Sequence, residues 1–358
     1  MNYPSKYIPG YVNSTPGIQV GTKMEGLIER DDQGKLTVDM DGINFLQQIG
    51  VEWVMVSGNQ VPEHTVETFK EVRDMLGEYG IKIYCLHSQG YHNMPDVTLG
   101  LENRDYMIEK YLEHITRLGA AGIHYSTYAH MGNGIWRNRE RHPVRGGATS
   151  GGLDLNAEIF ARGRNGEFSL PLSHGREFTE DELWRNYEYF IKQVVPVAES
   201  AKVFIGIHPD DPPVYTIGGV PRKIFGTFEG YKRALDIANS PNIGVCLCVG
   251  CWLEGGDEIG CSPEEFIRYL GERKKLFKLH MRNVTAPLST PGGFDETFPD
   301  AGYYNLANVI KALDEIDFDG AIQNDHLVGM VGGHYTSEAY MTSYLRGVVA
   351  GIQNYRFG

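Results

Sequence analysis

The sequence is short of positive charge. Its 33 Lys and Arg face 46 Asp and Glu, which leaves a formal net charge of −13. Neutralising phosphates takes Lys and Arg, so this balance excludes a general nucleic-acid binder, although a local basic pocket for a small anion is still compatible with it. Long apolar runs are missing too. No stretch approaches the ~20 residues of a membrane span, and Met1-Asn-Tyr-Pro-Ser-Lys6 is not followed by an apolar signal region. The expectation is a cytoplasmic protein with neither membrane nor nucleic acid as partner. Cysteines are few: Cys85, Cys246, Cys248, Cys251 and Cys261. An odd number, with three inside six residues, makes a poor disulfide framework for a long chain. Cys85, within Ile81-Lys-Ile-Tyr-Cys-Leu86, reads as a small buried hydrophobe. A Gly-x-Gly-x-x-Gly after a first strand is also lacking, which counts against an open doubly wound sheet.

What is present fits a globular chain with a sizeable core: 41% hydrophobic and 22% charged residues. Its 358 residues suit one large α/β barrel or two ordinary domains. Strand-like runs alternate with helical periodicity eight times, with no composition break that reads as a linker. Strands are expected over 17–21, 51–56, 81–86, 122–128, 203–207, 242–248, 276–281 and 321–325. Helices are expected over 38–49, 62–79, 104–118, 179–200, 228–238, 262–271, 306–316 and 336–352. Pro62 should sit in a first helical turn and Gly119 should close the third helix. Thr179-Glu-Asp-Glu182 and Ser262-Pro-Glu-Glu265 read as capping boxes. Residues 1–16 read as an amino-terminal arm. Residues 129–178 show no persistent period and are rich in Gly and Arg, which reads as a lid or binding loop in which Trp136 and Arg137 dock substrate. Eight such units call for a single (β/α)8 TIM-barrel domain spanning 1–358.

In such a barrel the active site lies at the C-terminal ends of the strands. His208, Cys248, His280 and Asp325 fall at those ends on four consecutive expected strands. Two imidazoles, a thiolate and a carboxylate suit a borderline divalent cation such as Mn, Fe, Co or Zn better than Mg or Ca. Cys246 shares a strand face with Cys248 but lies deeper, so Cys248 is the expected ligand. His326 follows Asp325 and starts on the other side of the chain, which suits proton transfer near neutrality. Arg282 and Asn283 are placed to reach a bound anion. Asp210 and Asp211 are candidates for substrate hydroxyls or for support of the ligands.

These blocks resemble a known family. His208-Pro-Asp-Asp-Pro-Pro213, Cys248-Val-Gly250, His280-Met-Arg-Asn-Val284, Phe294-Asp-Glu-Thr-Phe298 with Gly302, and Asp325-His326 are similar to motifs of the UxuA-type mannonate dehydratases. Upstream, Leu99-Gly-Leu-Glu-Asn-Arg-Asp105, Leu118-Gly-Ala-Ala-Gly-Ile123 and Trp136-Arg137 with Arg145-Gly-Gly-Ala148 extend the likeness over most of the chain after about residue 40. The resemblance implies a xylose-isomerase-like barrel, one Mn2+ or Fe2+ on His208, Cys248, His280 and Asp325, and a catalytic His326. It further implies a sugar-acid substrate: D-mannonate would lose water to give 2-keto-3-deoxy-D-gluconate, in hexuronate catabolism, in what is expected to be a homo-oligomer. The family's catalytic tyrosine corresponds to Tyr335 when the final helix is aligned and to Tyr340 by fixed counting, within Gly332-Gly-His334-Tyr335-Thr-Ser-Glu-Ala-Tyr340. The sequence departs from the family in Val249-Gly-Cys-Trp252 after Cys248 and in its first strand. A sugar isomerase or epimerase on the same barrel, and a non-catalytic sugar- or metal-binding barrel, are the alternative readings.

Overall fold

The computed structural model describes residues 17–61, 63–157, 160–163, 166–169, 171–318 and 320–357; the expected arm 1–16 and Pro62 lie outside them. Eight strands form the centre: β1 (Gln19–Met24), β2 (Trp53–Ser57), β3 (Lys82–His87), β4 (Tyr125–Ala129), β5 (Phe204–His208), β6 (Ile243–Cys248), β7 (Leu276–Met281) and β8 (Ala321–Asn324). They lie side by side in the order β3-β2-β1-β8-β7-β6-β5-β4, every neighbouring pair parallel. The outermost strands, β3 and β4, approach each other, with the Tyr84 and Tyr125 rings 4.8 Å apart and Asn93 bridging Ala129 just beyond. The sheet thus curls into a nearly closed TIM barrel.

A longer helix follows each strand: α1 (Met40–Gln48), α2 (Val66–Gly77), α3 (Arg104–Ala120), α4 (Glu180–Ala201), α5 (Phe228–Ala238), α6 (Pro263–Arg273), α7 (Leu306–Glu315) and α8 (His334–Phe357). Their starts follow from local chemistry. Thr179 and Ser262 each form a full capping box, satisfying backbone N–H groups that have no helical partner. Two expectations need correction here. The second helix opens at Val66 on a Thr65 cap rather than near residue 62. Gly119 does not end α3, which runs on to Ala120; a Cβ at Gly119 would lie 2.3 Å from the Ala201 carbonyl, so glycine is there for close packing against α4. The chain turns instead at Gly122, whose φ is +77°.

The apolar stripes of the helices pack on the outside of the barrel. In α3, Ile108, Tyr111, Ile115 and Leu118 are all buried, and each such side chain contributes roughly 1.5–3 kcal/mol on burial. A second, smaller core of Trp53, Met55, Tyr84, Cys85, Tyr125, Phe204, Phe277 and Ala321 fills the barrel interior. Most of these residues come from the first half of their strands, so the interior is plugged below and open to chemistry at the C-terminal ends. Among the described residues, no helix is long and apolar enough to cross a membrane.

Residues 129–178, read above as one loop without period, contain strands at Arg139–Pro143, Thr149–Leu153, Phe160–Gly163 and Gly166–Ser169. The first two join Phe294–Thr297 and Asn283–Val284 in an antiparallel sheet beside the barrel. This sheet carries Glu296 to the rim.

Candidate metal centre and cavity

Strand register sets the ligand geometry. Cys248 lies level with His280 and His280 level with Gln323. Since alternate residues share a face, Asp325, two beyond Gln323, continues that face past the strand end. The result is convergence: ligand atoms of Cys248, His280 and Asp325 lie within 4.8 Å of one another. His208 Nε2 stands 3.2 Å from His280 Nδ1, and the Cys248 sulfur is 3.6 Å from Asp325 Oδ2. His208 is braced from behind, its Nδ1 lying 2.7 Å from the Pro209 carbonyl, a partner that fixes which ring nitrogen faces inward. Burial alone would raise the Cys248 thiol; contacts with Cys251, Arg282, His208 and His280 reverse this and hold it well below its usual value. Burial, helped by Lys278, lowers His280 to about 4 and keeps it neutral. A thiolate, two imidazoles and a carboxylate brought together at one rim fit a divalent ion of the Mn, Fe or Zn kind.

Beside these four residues stands a closed ion cluster. Arg282, 1% exposed, meets Glu254 at 2.5 Å, Glu296 at 2.7 Å and Asp211 at 3.1 Å. Arg137 meets the same three carboxylates at 3.0, 2.7 and 2.6 Å. Burial pushes Glu254 up to about 8, whereas His326, Arg137 and Arg282 overcome the burial of Glu296 and hold it well below the carboxylate range. Glu296 also accepts from His326 Nδ1 at 2.6 Å. Burial would lower His326, but Asp325 and Glu296 outweigh it and raise its pKa to about 9.

A cavity of about 350 Å³ opens over the ligands. Strands β5 to β8 and their loops give it His208, His280, Asp325 and His326; the first half of the chain adds Lys23, Glu25, Met55, His92 and Asn93. Those first-half residues were missed from sequence because each is a single position within a strand or in the segment after one, with no motif around it. His334 and Glu338, also lining it, sit in the first turns of α8.

The expected substrate contacts sit elsewhere. Arg137, Trp136, Asp210, Arg282 and Asn283 are all buried and none lines the cavity. The two arginines are saturated by carboxylates. Asn283 donates to the Pro299 and Tyr304 carbonyls at 3.0 and 2.7 Å and so fixes the loop after β7. Asp211, in contrast, does reach the cavity wall. Tyr335 is 42% exposed with its ring 4.6 Å from that of Phe45, and Tyr340 accepts from Arg145 at 2.9 Å; neither lines the cavity.

Known proteins place this arrangement. The family model described as D-mannonate dehydratase (UxuA) matches residues 34–156 and 160–357. A mannonate dehydratase of Streptococcus pneumoniae (strain 70585) is 34% identical over 279 residues, covering 73% of this chain and 74% of that protein. The crystal structure of mannonate dehydratase from Streptococcus suis serotype 2 superposes with a TM-score of 0.76 at 28% identity, over 96% of this chain and 95% of that one. A xylose isomerase domain protein from Planctomyces limnophilus, at 13% identity and a TM-score of 0.58 over 95% of this chain and 99% of that one, shares the fold. The match over nearly the whole chain and the identity to curated relatives show that this chain belongs to the D-mannonate dehydratase (UxuA) family.

Proposed function

We propose that the chain is a hydro-lyase that removes water from D-mannonate to give 2-keto-3-deoxy-D-gluconate, using one Mn2+ or Fe2+ held by His208, Cys248, His280 and Asp325. The observation that carries this reading is the convergence of Cys248, His280 and Asp325 within 4.8 Å at the cavity of a UxuA-family chain. When bound, the ion supplies Lewis acidity toward the substrate carboxylate, easing loss of the proton on the adjacent carbon.

The chain's own groups manage the protons. Removing the C2 proton needs a base, and departure of the C3 hydroxyl needs an acid. His326 is held at Nδ1 by Glu296, which leaves Nε2 for transfer. We assign it the protonation of the leaving hydroxyl. Tyr335 is assigned the second transfer by its place in the family pattern, one residue beyond cavity-lining His334. In this structure its ring packs against Phe45 and does not line the cavity. Asp211, Asn93, Gln323 and Glu338 offer hydrogen-bonding groups for the polyol. An isomerase or a non-catalytic barrel is not favoured, because the relatives of 31–34% identity are named mannonate dehydratase.

The test is direct. Purified protein loaded with Mn2+ or Fe2+ and given D-mannonate should release a 2-keto-3-deoxy acid, seen by mass as the loss of water. An unchanged substrate, or an isomer of equal mass, overturns the proposal.

A further inference from the structure

Cys251 has no part in the chemistry above. It follows Cys248 by three residues, with Cys248 capping the short helix Val249–Gly255 and Cys251 in its first turn. That spacing puts both side chains on one face. The ligand atoms of His208, Cys248 and Cys251 lie within 4.8 Å of one another. One nitrogen of Arg282, Nη2, touches both sulfurs, at 3.5 Å for Cys248 and 3.2 Å for Cys251. Cys251 also groups with Asp211 and Glu254, but not with His280 or Asp325. It therefore stands behind Cys248 rather than among the converging ligands. The other nearby thiol, Cys246, contacts His280 Nε2 at 3.7 Å instead. All of these cysteines are free thiols.

We propose that Cys248 and Cys251 form an oxidisable dithiol whose disulfide withdraws Cys248 from the metal centre, so that oxidation and metal occupancy exclude each other. This rests on reading Cys248 as a ligand. A Cys-x-x-Cys pair in a first helical turn falls within the Cα separation of roughly 4.4–6.8 Å that a disulfide spans. Hydrogen peroxide is the oxidant. The Cys248 thiolate attacks one peroxide oxygen, the O–O bond breaks, and the departing hydroxide takes up the proton that the Cys248 thiol gave up on ionising and leaves as water. The Cys251 sulfur then attacks the Cys248 sulfenic acid, the S–O bond breaks, and a second water leaves with the Cys251 proton. The two sulfurs lose two electrons, the peroxide gains two, and two thiols plus one peroxide become one disulfide plus two waters. The cavity wall includes Asp325, 3.6 Å from the Cys248 sulfur.

The experiment compares chelator-stripped and Mn2+-loaded protein after equimolar peroxide, alkylation and peptide mapping by mass spectrometry. The expected result is a Cys248–Cys251 linkage in the stripped protein and protection in the loaded one. Oxidised protein should take up no Mn2+ by elemental analysis until dithiothreitol restores it. Cys251→Ser should bind Mn2+ when reduced, yet lose that capacity under peroxide in a way dithiothreitol does not reverse, because Cys248 then oxidises beyond the sulfenic acid. Should Cys251→Ser not fold, the wild-type comparison decides alone. Stripped protein without the linkage, or linked protein that still binds Mn2+, overturns the proposal. Failure of the ligand reading shows up separately, as Cys248→Ser protein with wild-type Mn2+ content.

Discussion

Two buried groups of ionisable side chains meet at the C-terminal end of this barrel, and they differ in how their charges are met. In one, Arg137 and Arg282 face Asp211, Glu254 and Glu296, and every charged group has an opposite charge within 3.1 Å. In the other, His208, Cys248, His280 and Asp325 turn donor atoms toward one another, with imidazole nitrogens 3.2 Å apart and with Arg282 at 3.4 Å and His326 at 3.8 Å from Asp325. The first group is closed and gives the rim its shape. The second has donor atoms that converge on one another, which is the arrangement a cation site requires. Arg282 and Glu296 join the two: Arg282 touches Cys248, and Glu296 orients His326.

The largest expected effect breaks the open group. His208→Ala or Cys248→Ser should reduce bound metal to near background by elemental analysis and abolish turnover, with the fold intact by circular dichroism. Next is the histidine that Glu296 orients beside the open group. His326→Gln should lower kcat by about 10²–10⁴-fold while metal content stays unchanged; a loss of metal instead would make His326 a ligand. Breaking the closed group should act on stability rather than on metal chemistry. Arg137→Met leaves three buried carboxylates facing one guanidinium, and should lower the unfolding free energy by about 3–5 kcal/mol in urea.

The smallest effect concerns a buried ionisable group with neither a charge partner nor a ligand role. His114 is 1% exposed, its Nδ1 has no hydrogen-bond partner, and burial lowers its pKa to about 3. An unfolded histidine titrates near 6.5. As pH falls from about 6.5 toward 3, the unfolded chain gains a proton that the folded one refuses, so stability is lost over that window, by at most about 1.4 kcal/mol per pH unit. His114→Leu, which retains apolar contact with Phe69 and Tyr91, should therefore lose less stability than wild type between pH 6.5 and pH 4.5 in urea titrations. An unchanged slope would show that His114 is not kept neutral by burial.

The same contrast explains what could be read from the sequence. His208, Cys248, His280 and Asp325 each end an apolar run, so strand periodicity alone put them on one rim. The βα alternation gave the barrel for the same reason: both signals are local. The closed cluster was not legible as a cluster, because Glu296, together with Arg137 just upstream of Arg139–Pro143, is brought to Asp211, Glu254 and Arg282 at the barrel rim by the sheet that pairs Thr149–Leu153 with Phe294–Thr297. Without that pairing Arg282 looked like an anion contact, whereas it is saturated by carboxylates. Gly119 was misread for a related reason: a glycine that terminates a helix and one that admits a neighbouring carbonyl look alike until the neighbour, Ala201, is in place.

The central claim is that the open group, and not the closed one, holds the metal. The closed cluster contains its own grouping of potential ligands, Asp211, Cys251 and Glu254, within 4.8 Å of one another. A crystal of the Mn2+-loaded protein, measured at the manganese absorption edge, separates the two. The account expects an anomalous peak bonded to His208, Cys248, His280 and Asp325; a peak among Asp211, Cys251 and Glu254, or none at the four residues, would contradict it.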